Sequence, residues 1–173
     1  MKWTVRKATI ADIDRLALVG GATFLDTFAG ILDGSAIVAH CKREHNSQSY
    51  QQYLEAGSSA WLAECNPGGG PVGFALLGDT DLPSSKQDGT DVELKRIYVL
   101  SRLHGLGIGA GLMHLAVDHA KRAGAHRLLL GVYAHNARAI GFYGKSGFTI
   151  IADRRFRVGD NEYDDVVLAK SLT

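Results

Sequence analysis

Four glycines, Gly105, Gly107, Gly109 and Gly111, fall at every second position between Ser101 and Leu112. A strand-like run, Val92 to Leu100, precedes them, and a helix-like run, Ile108 to Ala123, follows. Glycines strip side chains from a loop. The helix that starts inside it adds free N–H groups and the positive end of its dipole. That combination is an anion site, and phosphate is its usual occupant.

Two phosphate motifs fit the letters but not their setting. Gly105-Leu-Gly107-Ile-Gly-Ala110 satisfies the dinucleotide pattern G-x-G-x-x-A. Such a loop turns directly from strand to helix, whereas Ser101 to His104 intervene here. No acid follows the next strand to hold a ribose. Ala139 to Ser146 fits a relaxed nucleotide-loop pattern ending Gly144-Lys145-Ser146. That segment reads as helix, carries Phe142 and Tyr143, and runs into a strand, so the mechanism of the motif fails.

A third pattern extends over much more of the chain. His104-Gly-Leu-Gly107-Ile-Gly109 resembles the Q/R-x-x-G-x-G/A element of the GNAT superfamily of N-acetyltransferases, with His104 where Gln or Arg is usual. Glu93 to Val99 resembles the strand before that element. Asn136-Ala-Arg-Ala-Ile-Gly-Phe-Tyr143-Gly-Lys145-Ser-Gly-Phe148 resembles N-x-x-A-x-x-F-Y-x-K-x-G-F. The order and spacing are those of the family. A closer likeness is to the PaiA-like polyamine acetyltransferases, carried by Thr23 to Phe28, His104 to Gly107, Leu130-Gly-Val132 and Gly159 to Lys170.

The resemblance implies acetyl-coenzyme A as cosubstrate. It places the coenzyme against the backbones of Ile97, Tyr98 and Val99, the loop His104, Gly105, Leu106, Gly107, Ile108, Gly109 and Ala110, and the side chains of Asn136, Tyr143 and Lys145. It also implies a small-molecule primary amine as acceptor, a polyamine in the closer likeness, and a homodimer. Substrate does not follow from fold, because function lives in the site. Peptide N-termini, amino acids and aminoglycosides stay open as acceptors. A coenzyme-A-binding sensor or interaction module without catalysis is the competing class.

Acetyl transfer makes its own demands. An amine of pKa ~10.4 must be made neutral, which costs about 4–5 kcal/mol at pH 7. A base or water chain must take the proton. Glu93 is the candidate, acting through water; as a plain polar residue on a half-exposed strand it would look the same. Asp91, Asp164 and Asp165 are further candidates. Tyr143, with a reference pKa of ~10, holds a proton at neutral pH and can donate it to the leaving thiolate. A core aromatic on a short helix is the alternative. Asn136 is equally well read as a helix N-cap, and Lys145 as a solvated charge. Asp26, Glu44, Glu55, Glu162, Asp164 and Asp165 lie in the segments expected to form the acceptor face, and would suit a cation.

The elements that must position these residues follow from pattern. Trp3 to Ala8 alternates like a strand, and Thr9 with Asp12 has capping-box spacing. Residues 22–56 are polar and mostly helical in pattern. Ala60 to Cys65 and Val72 to Gly78 read as a hairpin, and Asp79 to Thr90 as a mobile polar loop. His126 to Tyr133 is a strand, Asn136 to Lys145 a short helix, and Phe148 to Val158 with Tyr163 to Leu172 a final hairpin. The expected fold is a single α/β N-acetyltransferase domain over residues 1–173. Its sheet is mixed, mostly antiparallel and twisted, with helices flanking it; the resemblance adds splayed central strands.

Composition excludes several classes. Of 173 residues, 46% are hydrophobic and 21% charged, with a net charge of +1, which gives no footprint for nucleic acid or a membrane surface. No apolar stretch approaches the ~20 residues of a membrane span. The amino-terminal residues lack a signal-peptide core, and Cys41 and Cys65 read as reduced thiols, so a cytoplasmic protein is expected. His114 and His119, like His40 and His45, are five apart, a poor spacing for a metal on one helix face; no metal site is expected.

The glycine loop yields the first test. Gly107→Glu would put a bulky anion where phosphate should sit. Calorimetry on the folded variant should show strongly weakened coenzyme A binding; unchanged affinity would mean that the loop is not the phosphate site.

Overall fold

A computed structural model describes residues 1–86 and 88–173. Seven strands form one sheet: β1 (Lys2–Lys7), β2 (Ser59–Asn66), β3 (Gly70–Gly78), β4 (Asp91–Val99), β5 (Arg127–Tyr133), β6 (Thr149–Val158) and β7 (Asn161–Ser171). Their order is β1-β2-β3-β4-β5-β7-β6. Every pairing is antiparallel except β4 with β5. The helices are α1 (Ile13–Phe28), α2 (Gly34–Glu44), α3 (Ser47–Glu55), α4 (Ile108–Arg122) and α5 (Ala137–Lys145). Among the described residues no helix is long and apolar enough to cross a membrane.

The parallel pair is short. Asp91, Val92 and Glu93 pair with Arg127, Leu128 and Leu129, and there the pairing stops, although β4 runs on to Val99 and β5 to Tyr133. The central strands therefore part, as expected. β4 also carries a bulge. Arg96 faces Leu76 and Leu94 faces Leu77, which leaves Lys95 as the extra residue. A bulge bends its strand and resets which side chains share a face.

Two layers of helix cover the sheet. The apolar stripe of α4, with Ile108, Leu112, Ala116 and Ala120, packs on Ala75, Leu77, Leu94, Leu128 and Leu130, and Tyr143 and Phe148 join the same core. On the opposite face, Leu16 and Val19 of α1 and Tyr50 of α3 pack on Leu62, Phe74 and Leu76. A third cluster joins Phe24, Leu32, Ala36 and Ile37 to Val158 at the tip of the last hairpin. Described residues of the segment between β3 and β4, read from sequence as a mobile loop, make contacts with the sheet. Leu82 is 2% exposed and packs on Leu129, Val167 and Ala169. The Lys86 amide donates to Asp91, and Arg127 donates to both Asp91 and the Ser84 carbonyl.

The start of α1 differs from expectation by one turn. Ile10–Asp12 forms a 3-10 turn, and Asp12 accepts the Thr9 backbone N–H at 2.9 Å, the reciprocal half of a capping box. The Asp12 carboxylate also takes two bonds from Arg6, which reaches on to Glu64, and Arg15 bonds Glu64 and the Gly69 carbonyl. This network pins β1, the entry of α1, and β2 together. The Arg6 guanidinium holds the Asp12 carboxyl well below the usual carboxylate range, against the cost of burial. A depressed carboxylate contributes stability above its unfolded pKa of ~3.9, and that stability is lost as pH falls towards the folded value. Asp12→Asn should lower the melting temperature by a few degrees at pH 7, an effect on the order of 1–2 kcal/mol. The deficit should shrink below about pH 4, and one that is constant with pH would remove the ionic part of the account.

Candidate active site

The sheet's parting, the glycine loop and α5 meet at one cavity of about 970 Å³. Its lining includes both strands at the fork, the start of α4, the start of α5, and parts of α1, α2 and the last hairpin.

The loop is built as its composition requires. A 3-10 turn, Ser101–Leu103, leads from β4, and Gly105 and Gly107 then take φ of +83° and +82°, which side chains disfavour. Asp33, Asn46 and Asn136 cap α2, α3 and α5 with side-chain oxygens, whereas no side chain caps α4. Its first intrahelical bond from the loop side is Gly111 N–H to the Gly107 carbonyl, so the preceding amides have no partner within the helix. Gly105, Gly107, Ile108, Gly109 and Ala110 all line the cavity. Leu106 does not: it is half exposed, and its carbonyl accepts the Trp3 indole N–H at 3.1 Å.

The other expected residues divide. The Leu100 amide donates to Val72 on β3, so by alternation the backbone groups of Ile97 and Val99 face the opened side. Tyr98 turns its backbone to β3 and offers only its ring, which stacks 6.2 Å from Phe74. His104 donates from Nε2 to the Val99 carbonyl at 2.7 Å, tying the loop to the end of β4. Asn136 lines the cavity and also caps α5 through the Ala139 amide at 3.1 Å. Lys145 is exposed at the far end of α5, outside the lining, whereas Arg138 in its first turn lines the cavity.

Tyr143 is buried, lines the cavity, and packs 5.9 Å from Phe148. Burial, with Tyr98 nearby, pushes its hydroxyl well above the usual tyrosine range. Glu93 is 8% exposed and lines the cavity from the last position at which β4 pairs with β5. Burial raises its pKa, opposed by Lys95, whose ammonium donates at 3.3 Å. Asp91 is taken by Arg127 and stands outside the lining.

The acids expected to face a cation are not all gathered. Asp26 lines the cavity, where it accepts both the Ser101 amide and hydroxyl. Glu55 bonds Gln51 on the surface, and Glu162 and Asp164 face Arg155 on the exposed side of the hairpin. Glu44 and Asp165 also reach the cavity, each with an arginine: Arg96 at 3.2 Å and Arg154 at 2.7 Å. Arg96 and Arg154 carried no local sequence signal. His40 stacks 4.1 Å from Phe24, and His45 bonds the Tyr50 hydroxyl. Burial lowers the two imidazoles to about 4 and about 3, so both are neutral at pH 7.

Comparison with known proteins fits this geometry. Residues 30–148 match the acetyltransferase (GNAT) family. An uncharacterized N-acetyltransferase of Mycobacterium bovis is 34% identical over 163 residues, covering 94% of this chain and 99% of the relative. The fold is shared with the PaiA N-acetyltransferase of Thermoplasma acidophilum in complex with coenzyme A. That likeness has a TM-score of 0.78, 22% identity, and 99% coverage of both chains. It is also shared with a putative acetyltransferase of Salmonella typhimurium with its cofactor acetyl-CoA, with a TM-score of 0.67, 24% identity, and coverage of 99% of this chain and 94% of that one. With residues 30–148 matched and a relative 34% identical over 94% of its length, this chain belongs to the GNAT family of N-acetyltransferases.

Proposed function

We propose that the chain transfers acetyl to a primary amine by direct attack on the thioester. The observation that carries this reading is the convergence, on one cavity, of the uncapped α4 N-terminus and the opened edge of β4. The first suits a pyrophosphate, and the second suits an extended arm that carries amides. Coenzyme A has both, and its thioester supplies the activated acetyl carbon.

The remaining work falls to this chain's residues. The amides from Gly107 to Ala110 hold the pyrophosphate, with Arg138 rather than Lys145 as the nearby cation. Ile97 offers N–H and carbonyl to the arm. Val99 offers its N–H only, because His104 occupies its carbonyl. Glu93 takes the amine's proton through water. Its raised pKa makes it a better proton acceptor than an ordinary carboxylate. As nitrogen bonds to the acetyl carbon and the carbon–sulfur bond breaks, Tyr143 donates to the departing sulfur. A hydroxyl held above pKa ~10 acts first as a hydrogen-bond donor, because full transfer to a thiolate of pKa ~8.5 is uphill.

A polyamine is the acceptor that the PaiA-like resemblance implies. In its support, Phe24, Phe28 and Ile31 give the cavity an apolar wall along which methylenes can lie. Against it, Glu93, Glu44 and Asp165 each already face a cation, which leaves Asp26 as the lining acid without one among the described residues.

Tyr143→Phe removes only the hydroxyl, and should cut turnover roughly 10²-fold with coenzyme affinity nearly kept. Wild-type turnover would return Tyr143 to the role of a core aromatic. Glu93→Gln should depress the rate most near neutral pH and less at high pH, where the amine is already neutral; a profile parallel to wild type would remove Glu93 from the proton path. If acetyl-coenzyme A binds but a broad amine panel releases no thiol, the chain is a coenzyme-binding module instead.

A further inference from the structure

Gly131 sits on β5 just past the last residue paired with β4. Arg154, on the edge strand β6, reaches over β7 and lies on this glycine. A Cβ at position 131 would meet Arg154 Nη2 at 2.5 Å and Cζ at 2.9 Å. The guanidinium is held from other sides too. Nη2 donates to Asp165 Oδ2 at 2.7 Å, and Cζ lies 5.4 Å from the Phe156 ring centroid. Three-quarters of the side chain is covered. Among the described residues, Nη1 and Nε donate to no group, and Nε is shut from solvent. Arg154, Asp165, Gly131 and Glu93 line the same cavity.

A fixed cation is an odd neighbour for a protonated amine, since like charges repel. It is a good neighbour for an amine that carries an oxygen close by. A guanidinium with open donors takes a carboxylate or carbonyl in its own plane. The rest of the cavity agrees. Three of its acids, Glu93, Glu44 and Asp165, are matched by Lys95, Arg96 and Arg154, and Arg43 is a second cation on Glu44. Asp26 also lines the cavity and has no cation beside it among the described residues, its oxygens accepting the Ser101 amide and hydroxyl, so a polycation would find a single carboxylate without a cation for its distal charges. Phe24, Phe28, Ile31 and Leu32 offer an apolar wall for a side chain.

We propose that Arg154, seated on Gly131 and steadied by Asp165, reads an oxygen on the carbon next to the reacting amine. The acceptor is then an α-amino acyl compound with an apolar side chain. A free amino acid and a peptide N-terminus share this chemistry. The inference rests on the acetyl-transfer reading and names its substrate class. Arg154 is a specificity-determining residue in it, and Gly131 is the gap that lets the guanidinium reach the fork of the sheet.

The test compares leucinamide with 3-methylbutylamine, which is the same amine without its carbonyl. Spermidine, leucine and a leucyl dipeptide complete the panel. Thiol release from acetyl-coenzyme A gives kcat/KM for wild type, Arg154→Gln and Gly131→Ala. The two amines differ in intrinsic pKa, but that difference is common to all three proteins and cancels when their ratios are compared. The leucinamide to 3-methylbutylamine ratio should fall at least tenfold in Arg154→Gln. It should fall likewise in Gly131→Ala, where the new methyl displaces the guanidinium while Arg154 and Asp165 both remain. Leucine against dipeptide tells the free amino acid from the chain terminus. A ratio unchanged within twofold in both variants would overturn the proposal, as would spermidine turned over more efficiently than every α-amino acyl compound. Calorimetry of the same two amines against wild type and both variants loaded with coenzyme A separates the two readings. Binding that prefers leucinamide in an Arg154-dependent way, with no turnover of any amine, overturns the catalytic reading and keeps this one. Binding without that preference overturns this one.

Discussion

Everything at the site depends on the point where β4 and β5 stop pairing. Up to Glu93 and Leu129 they are neighbours in a continuous sheet; beyond, each goes its own way. A strand edge that no other strand covers carries a row of donors and acceptors that need partners, at roughly 1–3 kcal/mol for each buried group left without one. The bulge at Lys95 helps to bend β4 from its neighbour. The cavity forms where the edge opens. Both following connections leave the carboxyl ends of the parallel pair β4 and β5, so α4 and α5 begin beside the same gap. Parallel strands generally bind ligands there, because helix N-termini converge at that end.

The parting also joins the two faces of the sheet. Tyr143 belongs to the core beneath α4, with Leu94 and Leu130. Glu93 shares the other side with Arg154, Asp165 and the wall from α1. In an unbroken sheet these residues would be screened from one another by a layer of backbone. Here they line one cavity, so the proposed acid and base approach the reacting atoms from opposite faces. Water exclusion follows from the same arrangement, since helices cover both sides and Glu93 and Tyr143 are each buried.

Charge in the acceptor half is balanced rather than acidic. Glu93, Glu44 and Asp165 each hold a cation within 3.3 Å, and such pairs are costly to break where the survivor is left charged in a poor solvent. The pairs are therefore fixtures of the wall. They set the pattern of donors and acceptors that an acceptor molecule must match, and they do so without contributing much net stability.

Sequence by itself determined what is local. The alternation of strands, the stripe of α4 and the turn glycines depend on neighbours within a few residues, and the order of elements came out as patterned. Gly105 and Gly107 were legible because a left-handed backbone demands glycine, and Asn136 because a cap acts three residues away. The motif spacing was enough to bring Tyr143 and Glu93 forward. Only the tertiary structure decided the rest. Strict alternation along β4 would put Glu93 on the same face as Ile97 and Val99; the Lys95 bulge, fixed by pairing with β3, puts them on opposite faces. His104, Leu106 and Tyr98 were placed at the coenzyme by position in a motif. His104 and Tyr98 line the cavity, with His104 Nε2 bonded to the Val99 carbonyl and the Tyr98 backbone turned to β3, while Leu106 lies outside the lining with its carbonyl on the Trp3 indole. Lys145, Glu55, Glu162 and Asp164 stand outside the cavity, whereas Asp26, Glu44 and Asp165 line it, a division that only the packing of the elements decides. Arg154 could not be found at all from local pattern: its meaning rests on Gly131, Asp165 and Phe156 meeting it across three strands. Backbone preferences are written in short stretches of sequence, whereas a side chain's partner is chosen by packing between segments that the sequence keeps apart.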